Sequence, residues 1–237
     1  AAPVKKAAKK TPVKKVVPAK ATPVKKTAKK TPAKVVSVEK TVTVTKNPVT
    51  KSSAKGTLIK GATLVTMNLV REIVKADIRI VDGKIESIAP TLRTRTNDTV
   101  VDAKGLTVFP GFIQLHAHFC QTIFRHMAED LSLFDWLRQR IWPLEAAHNP
   151  ASLRASTQLG IGEMLMSGTT TAFTMETTHN TEEIFSTIIE SGMRCFTGKA
   201  MMDTGRGLPR KLKETTRRSL DLAKKHLANW DGKGNLK

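Results

Sequence analysis

From Gly56 onward the chain alternates between apolar and polar residues. TLIKGATLVTM (57–67) and ADIRIVDGKIESIAP (76–90) do so with period two, which predicts strands with one buried face. Asp82-Gly83 stands between two such runs and predicts a tight hairpin, because both positions of a two-residue turn need left-handed backbone angles that Asp and Gly tolerate. A small antiparallel sheet is therefore expected. A third run, TVVDAKGLTVFPGFIQLHAH (99–118), passes through Pro110-Gly111 into an apolar strand that ends in two histidines. The period then lengthens to that of helices at about 131–140, 150–167, 181–192 and 211–229, with short strands at about 169–175 and 194–200 between them. Strands alternating with helices imply parallel βα units, so the expected class is α/β.

Composition changes the picture mainly at the amino terminus. The 237 residues carry a formal charge of +20, but residues 1–55 hold 16 lysines against the single acid Glu39, so most of the excess lies there. Around Thr11-Pro12, Thr22-Pro23 and Thr31-Pro32 a unit close to K-K-T-P-V-K-K recurs. Such a stretch buries too little apolar area to offset its ordering entropy, and its prolines and mutually repelling lysines predict an extended, disordered basic tail that grades into a linker by residue 55. It resembles the lysine-alanine-proline tails of linker histones and of bacterial histone-like proteins. Counterion release would give it non-specific, salt-sensitive affinity for nucleic acid; a solvated extension with no dedicated partner is the equally weighted alternative. The rest of the chain is only mildly basic, so net charge does not make it a nucleic-acid binder.

Two cysteines, Cys120 and Cys195, form no CxxC pair and follow no secretory signal, which predicts free thiols in a reducing, cytoplasmic compartment. No apolar run approaches the roughly 18 residues of a membrane span, so no membrane association is expected. The 40% hydrophobic residues suffice for a real core.

His116 and His118 stand two apart at the carboxyl end of a predicted strand, where alternation points both imidazoles to one side. Two ligands on one rigid element suit a metal; two histidines so close could equally be surface or core residues. A strand that leaves a Pro-Gly turn and ends on both histidines at the carboxyl-end rim of a βα barrel favours the metal, since such barrels place their chemistry there.

In order along the chain, PGFIQLHAHFCQT (110–122), EDLSLFDWL (129–137), IWPLEA (141–146), EMLMSGTTTAF (163–173) and GMRCFTGKAMMD (192–203) resemble the amidohydrolase superfamily, in its deaminase and chlorohydrolase branch. The resemblance runs from about Gly56 to the end. It implies a distorted (β/α)8 barrel flanked by a small β-sandwich, with 56–110 in the sandwich and 111–237 forming the first part of the barrel. It further implies one divalent metal, zinc or iron, with His116 and His118 as its first two ligands, and a small purine or nucleoside substrate. The metal would make water nucleophilic near neutral pH for attack on the amino-bearing ring carbon, ammonia leaving; a chlorohydrolase would differ only in the leaving group.

Four further positions carry over from the same resemblance as substrate contacts. Glu145 matches a glutamate that accepts hydrogen bonds from ribose hydroxyls, with a cap or ion pair after Trp142-Pro143 as the plainer alternative. Gln121 lies where an amide contacts the purine, or has a purely structural role. Trp136 would cover the ligand, or belong to the core. Lys199 stands where the methylthioadenosine deaminases tend to have arginine. Cys120 is read as packing, and His126, His148, His179 and His226 match no ligand motif, though His179 follows a strand closely enough to approach the pocket.

The family's third and fourth histidines, catalytic glutamate and metal aspartate have no counterpart in this chain. No catalytic residue is therefore assigned within it, and on this basis the chain alone is expected to be an inactive fragment, open-edged and dependent on a further segment or on self-association. The alternative class is a basic nucleic-acid-associated protein with a vestigial amidohydrolase half.

Overall fold

The computed structural model describes residues 55–127, 130–177 and 179–237. The basic tail and nearly all of the linker, and with them the expectations of disorder and nucleic-acid contact, lie outside these residues.

The first sheet holds five strands: β1 (Gly56–Val65), β2 (Ile73–Val81), β3 (Lys84–Ala89), β4 (Asp98–Asp102) and β5 (Thr107–Val108). Their order is β3-β2-β1-β4, with β5 also on β1. The β2–β3 hairpin turns at Asp82-Gly83, both at positive φ (50° and 71°), which matches the twist of the flanking strands. The sheet is not purely antiparallel as the alternation suggested, because β4 and β5 return to join β1 in parallel. Period two reports which face is buried but carries no strand direction. Leu64, Ala76, Ile78 and Ala103 form the small core of this sheet. On its rim Arg79 and Asp98 make a buried ion pair, 2.8 Å apart.

The second sheet is parallel, in the order β6 (Phe112–Ala117), β7 (Thr169–Glu176), β8 (Arg194–Lys199). Residues 235–237 hydrogen-bond alongside β8, bridging Leu236 to Cys195 in parallel. Helices α3 (Pro150–Met166) and α4 (Thr181–Ser191) pack on this sheet around Phe119, Leu153, Ile161, Ala172, Ile184, Ile188 and Cys195. α3 opens with a reciprocal cap between Asn149 and Ser152 and with Pro150 in its first turn, where a missing N–H is tolerated. Other side chains of this sheet are uncovered: Phe112, Ile113, Phe173, Met175 and Phe196 are exposed, and Leu115 is 72% exposed. These are positions that a closed barrel buries.

The helical stretch predicted at 131–140 is longer and of mixed geometry: α1 (Leu133–Trp136), a π-helical turn at Leu137–Ile141, then α2 (Trp142–Ala147). Pro143 supplies a reason, since its ring would collide with a carbonyl four residues back in a regular α-helix, and a widened turn relieves that crowding. The last helix, α5 (Thr216–Trp230), begins later than periodicity suggested. Thr215 caps it by accepting the Arg218 amide, which leaves 211–214 in the preceding loop. Among the described residues no helix is long and apolar enough to cross a membrane.

Candidate active site

The carboxyl end of β6 delivers His116 and His118 with their rings 4.8 Å apart, edge to face, as same-side alternation requires. The β6–β7 register slips between Gln114 and Ala117, a local irregularity that re-aims the side chains beside it. The His118 Nδ1 lies 2.6 Å from the Met175 carbonyl of β7. A carbonyl can only accept, so Nδ1 is the donor and Nε2 is the nitrogen left to meet a metal. That is the arrangement in which an imidazole binds a metal while its other nitrogen is held by the protein. These two residues thus fit a metal. No cluster of three or more metal-ligating side chains occurs among the described residues.

After His118 the chain turns at once into a 3₁₀ segment, Phe119–Phe124, seated against α3. Gly160 makes this approach possible: a β-carbon there would stand 2.7 Å from Thr122 Oγ1 and 2.8 Å from the Phe119 ring. The segment presents Gln121, whose amide donates to Glu145 Oε1 at 2.8 Å. Two of the substrate contacts expected from the resemblance are therefore each other's partners. Glu145 is buried on α2; burial raises its pKa, against the opposing pull of the Gln121 bond and of His118. Gln121, His118 and Trp136 line one open groove of about 640 Å³, together with residues of β6 and α3.

Lys199 is placed elsewhere. Its ammonium is buried and bonded to Glu214 (2.5 Å), the Ala200 carbonyl (2.9 Å) and Ser219 (3.1 Å), so it ties β8 to the loop before α5. Glu214 accordingly lies in that loop, outside the helix that periodicity had begun at about residue 211. His148 is buried too, bonded through Nε2 to the Cys120 carbonyl (2.7 Å) and through Nδ1 to Ser152 (2.8 Å). His179 and Lys211 both reach the His148 carbonyl, at 3.3 and 2.8 Å. Burial lowers the pKa of both histidines, which holds them neutral. His226 pairs with Glu182.

The sequence reading passed over Glu176, the last residue of β7, which is 1% exposed and accepts the Phe119 and Cys120 amides. A signal was present: a carboxylate at the carboxyl end of an apolar barrel strand is an unusual choice. Burial raises its pKa as well, in opposition to those two amide bonds.

Glu145 and Glu176 together set a pH dependence. In the unfolded chain both titrate near about 4.3, so with folded values raised their contribution to stability is fully present below that pH and is lost as pH climbs through the folded values. The melting temperature of Glu145→Gln relative to the parent is expected to rise between about pH 5 and about pH 8. A difference that stays flat over that interval contradicts the shift. Asp77 and Asp98 do not mask the effect, because their backbone hydrogen bonds and the Lys60 and Arg79 charges outweigh burial and hold them below the usual carboxylate range.

A parallel βα sheet that carries an imidazole pair at its carboxyl-end rim is the arrangement of part of a (β/α)8-type barrel, a fold that places its chemistry at that rim. The chain belongs to the amidohydrolase family, whose model matches residues 107–232. It is 40% identical over 134 residues to a 5-methylthioadenosine/S-adenosylhomocysteine deaminase of Thermococcus onnurineus, covering 56% of this chain and 31% of that protein. It is 36% identical over 148 residues to a 5'-deoxyadenosine deaminase of Methanobrevibacter smithii, covering 62% and 33% respectively. The solved structure of a guanine deaminase from C. acetobutylicum with bound guanine superposes with a TM-score of 0.68 at 27% identity, covering 77% of this chain and 45% of that one. The chain spans about a third of the length of these curated relatives.

Proposed function

We propose that the chain contributes part of the active site of a metal-dependent deaminase that hydrolyses the exocyclic C–N bond of an adenosine derivative. The observation that carries this reading is the paired rings of His116 and His118, with the His118 Nδ1 held by Met175 and His118 lining a groove with Gln121. His116 and His118 would hold zinc or iron, which when bound makes water nucleophilic near neutral pH. The chain's other residues at the groove would bind and orient the substrate. Glu145 accepts from ribose hydroxyls once Gln121 yields part of its bond, and Gln121 offers its amide to the base edge. Trp136, along the same groove, excludes water from the ring.

The test is ammonia release from 5'-deoxyadenosine by the 237-residue chain supplied with zinc or iron, alone and together with the remaining portion of a relative. Ammonia that depends on His116 and His118 supports the reading. Chloride release from a chlorinated ring, with no ammonia from any adenosine derivative, would move the protein to the chlorohydrolases. Both thiols, Cys120 and Cys195, are buried and unpaired, in keeping with a reducing compartment such as the cytoplasm. The exposed residues of the parallel sheet support a covering partner, whether further polypeptide or another copy.

The charge pattern of residues 1–55 favours a second activity, non-specific binding of nucleic acid. Filter binding of mixed-sequence duplex DNA at rising salt decides it: affinity that does not fall with salt, or that survives deletion of residues 1–55, rules it out.

A further inference from the structure

We propose that Glu176 is a positioning residue for the site, fixing the backbone that immediately follows the metal ligand His118. This rests on the reading of His118 as a ligand. The β6–β7 ladder makes its last pair at Ala117 and Thr174, so nothing in the ladder itself holds residues 118–121 in place. The end of β7 does so by other means. The Met175 carbonyl takes the His118 ring proton at 2.6 Å. The next residue, Glu176, then gives one carboxylate oxygen to each of two successive amides, Oε1 to Phe119 at 3.0 Å and Oε2 to Cys120 at 2.9 Å. His118 is thereby held at its ring and at the peptide that follows it, by two consecutive residues of the neighbouring strand.

The consequences extend past the ligand. With Cys120 in place, its carbonyl receives the His148 Nε2–H, and Gln121 meets Glu145. The metal ligand and the expected ribose-binding carboxylate are thus held in a common register through Glu176. Only a carboxylate does this well, since a glutamine would accept from one amide and turn its own NH2 toward the other. A costly buried acid kept at this point implies a requirement for geometry, which an apolar residue of similar size would meet less well.

The experiment uses the full 237-residue chain as parent, Glu176→Gln and Glu176→Asp variants, and Ile188→Val as a core-destabilised control. Hydrogen exchange of the Phe119 and Cys120 amides, with long-range nitrogen–proton NMR of the His118 ring, is read without metal; zinc affinity is then read by chelator competition. In Glu176→Gln the two amides should lose protection and the His118 ring its fixed Nδ1–H tautomer, while β8 amides keep theirs. Zinc affinity should fall by about tenfold or more, the range found for outer supports of metal ligands, and remain at the parent value in Ile188→Val. Glu176→Asp, which keeps both acceptors at shorter reach, should lie between the two, and it carries the same readouts if the Gln variant does not fold. Unchanged exchange and tautomer in the variants overturn the proposal, as does a loss of zinc affinity no larger than the control's. If the parent itself binds no zinc through its histidines, the metal reading fails, and exchange and tautomer alone decide whether Glu176 positions this segment.

Discussion

Replacing His118 with alanine is expected to lower zinc affinity by on the order of 100-fold while leaving the fold nearly intact. Structural zinc sites of four ligands are worth about 10–16 kcal/mol, so one ligand is worth roughly 3 kcal/mol, which converts to that factor. Folding is little affected because the side chain is only partly buried and its single hydrogen bond, to Met175, contributes about 1 kcal/mol net. Chelator competition measures the first quantity and thermal melting the second. His116→Ala should behave alike, since its ring lies against that of His118 at the same rim. Affinity that is unchanged in both variants would remove the metal from this pair.

Lys199→Met is expected to reduce stability by about 3–5 kcal/mol, the range for removing one partner of a buried ion pair. The side chains of Lys199 and Glu214 are 1% and 7% exposed, so deleting the ammonium strands the Glu214 carboxylate with Ser219 as its remaining partner. Against a typical total of about 5–15 kcal/mol, that loss would unfold much of the population at moderate denaturant. Changing both residues, Lys199→Met with Glu214→Leu, should recover most of the loss, because the desolvated charge disappears with its partner. Denaturant unfolding distinguishes this from a ligand-contacting role: if Lys199→Met costs less than about 1 kcal/mol yet weakens substrate binding, the amine serves the ligand.

Lys199 also shows where sequence reading stops. The resemblance suggests a substrate-facing cation at this position, but the direction of a four-carbon side chain is chosen by its partners, and Glu214 lies 15 residues further along the chain, next to the Thr215 cap. Glu145 is buried and bonded to Gln121, a partner 24 residues earlier in the chain that local spacing does not reveal. Trp136 lines the groove with His118 and Gln121, a placement that helical spacing alone cannot distinguish from core packing. Glu176 went unnoticed because its partners, Phe119 and Cys120, are 57 and 56 residues away and offer only backbone amides, which leave no mark in side-chain composition.

Features set by a few neighbouring residues were legible from the chain as written: the strands of period two, the Asp82-Gly83 turn, the alternation of strands and helices, and the same-side pair His116 and His118. Each follows from backbone sterics and side-chain spacing over one or two turns of chain. Pairings between distant segments were not legible: the parallel return of β4 and β5, the Lys199–Glu214 pair, and the hold of Met175 and Glu176 on His118 and the residues after it. They depend on strand register and on which polar groups are buried together, and those are settled only when the sheets and helices pack, because a buried donor or charge takes its partner from whatever the fold brings within about 3 Å.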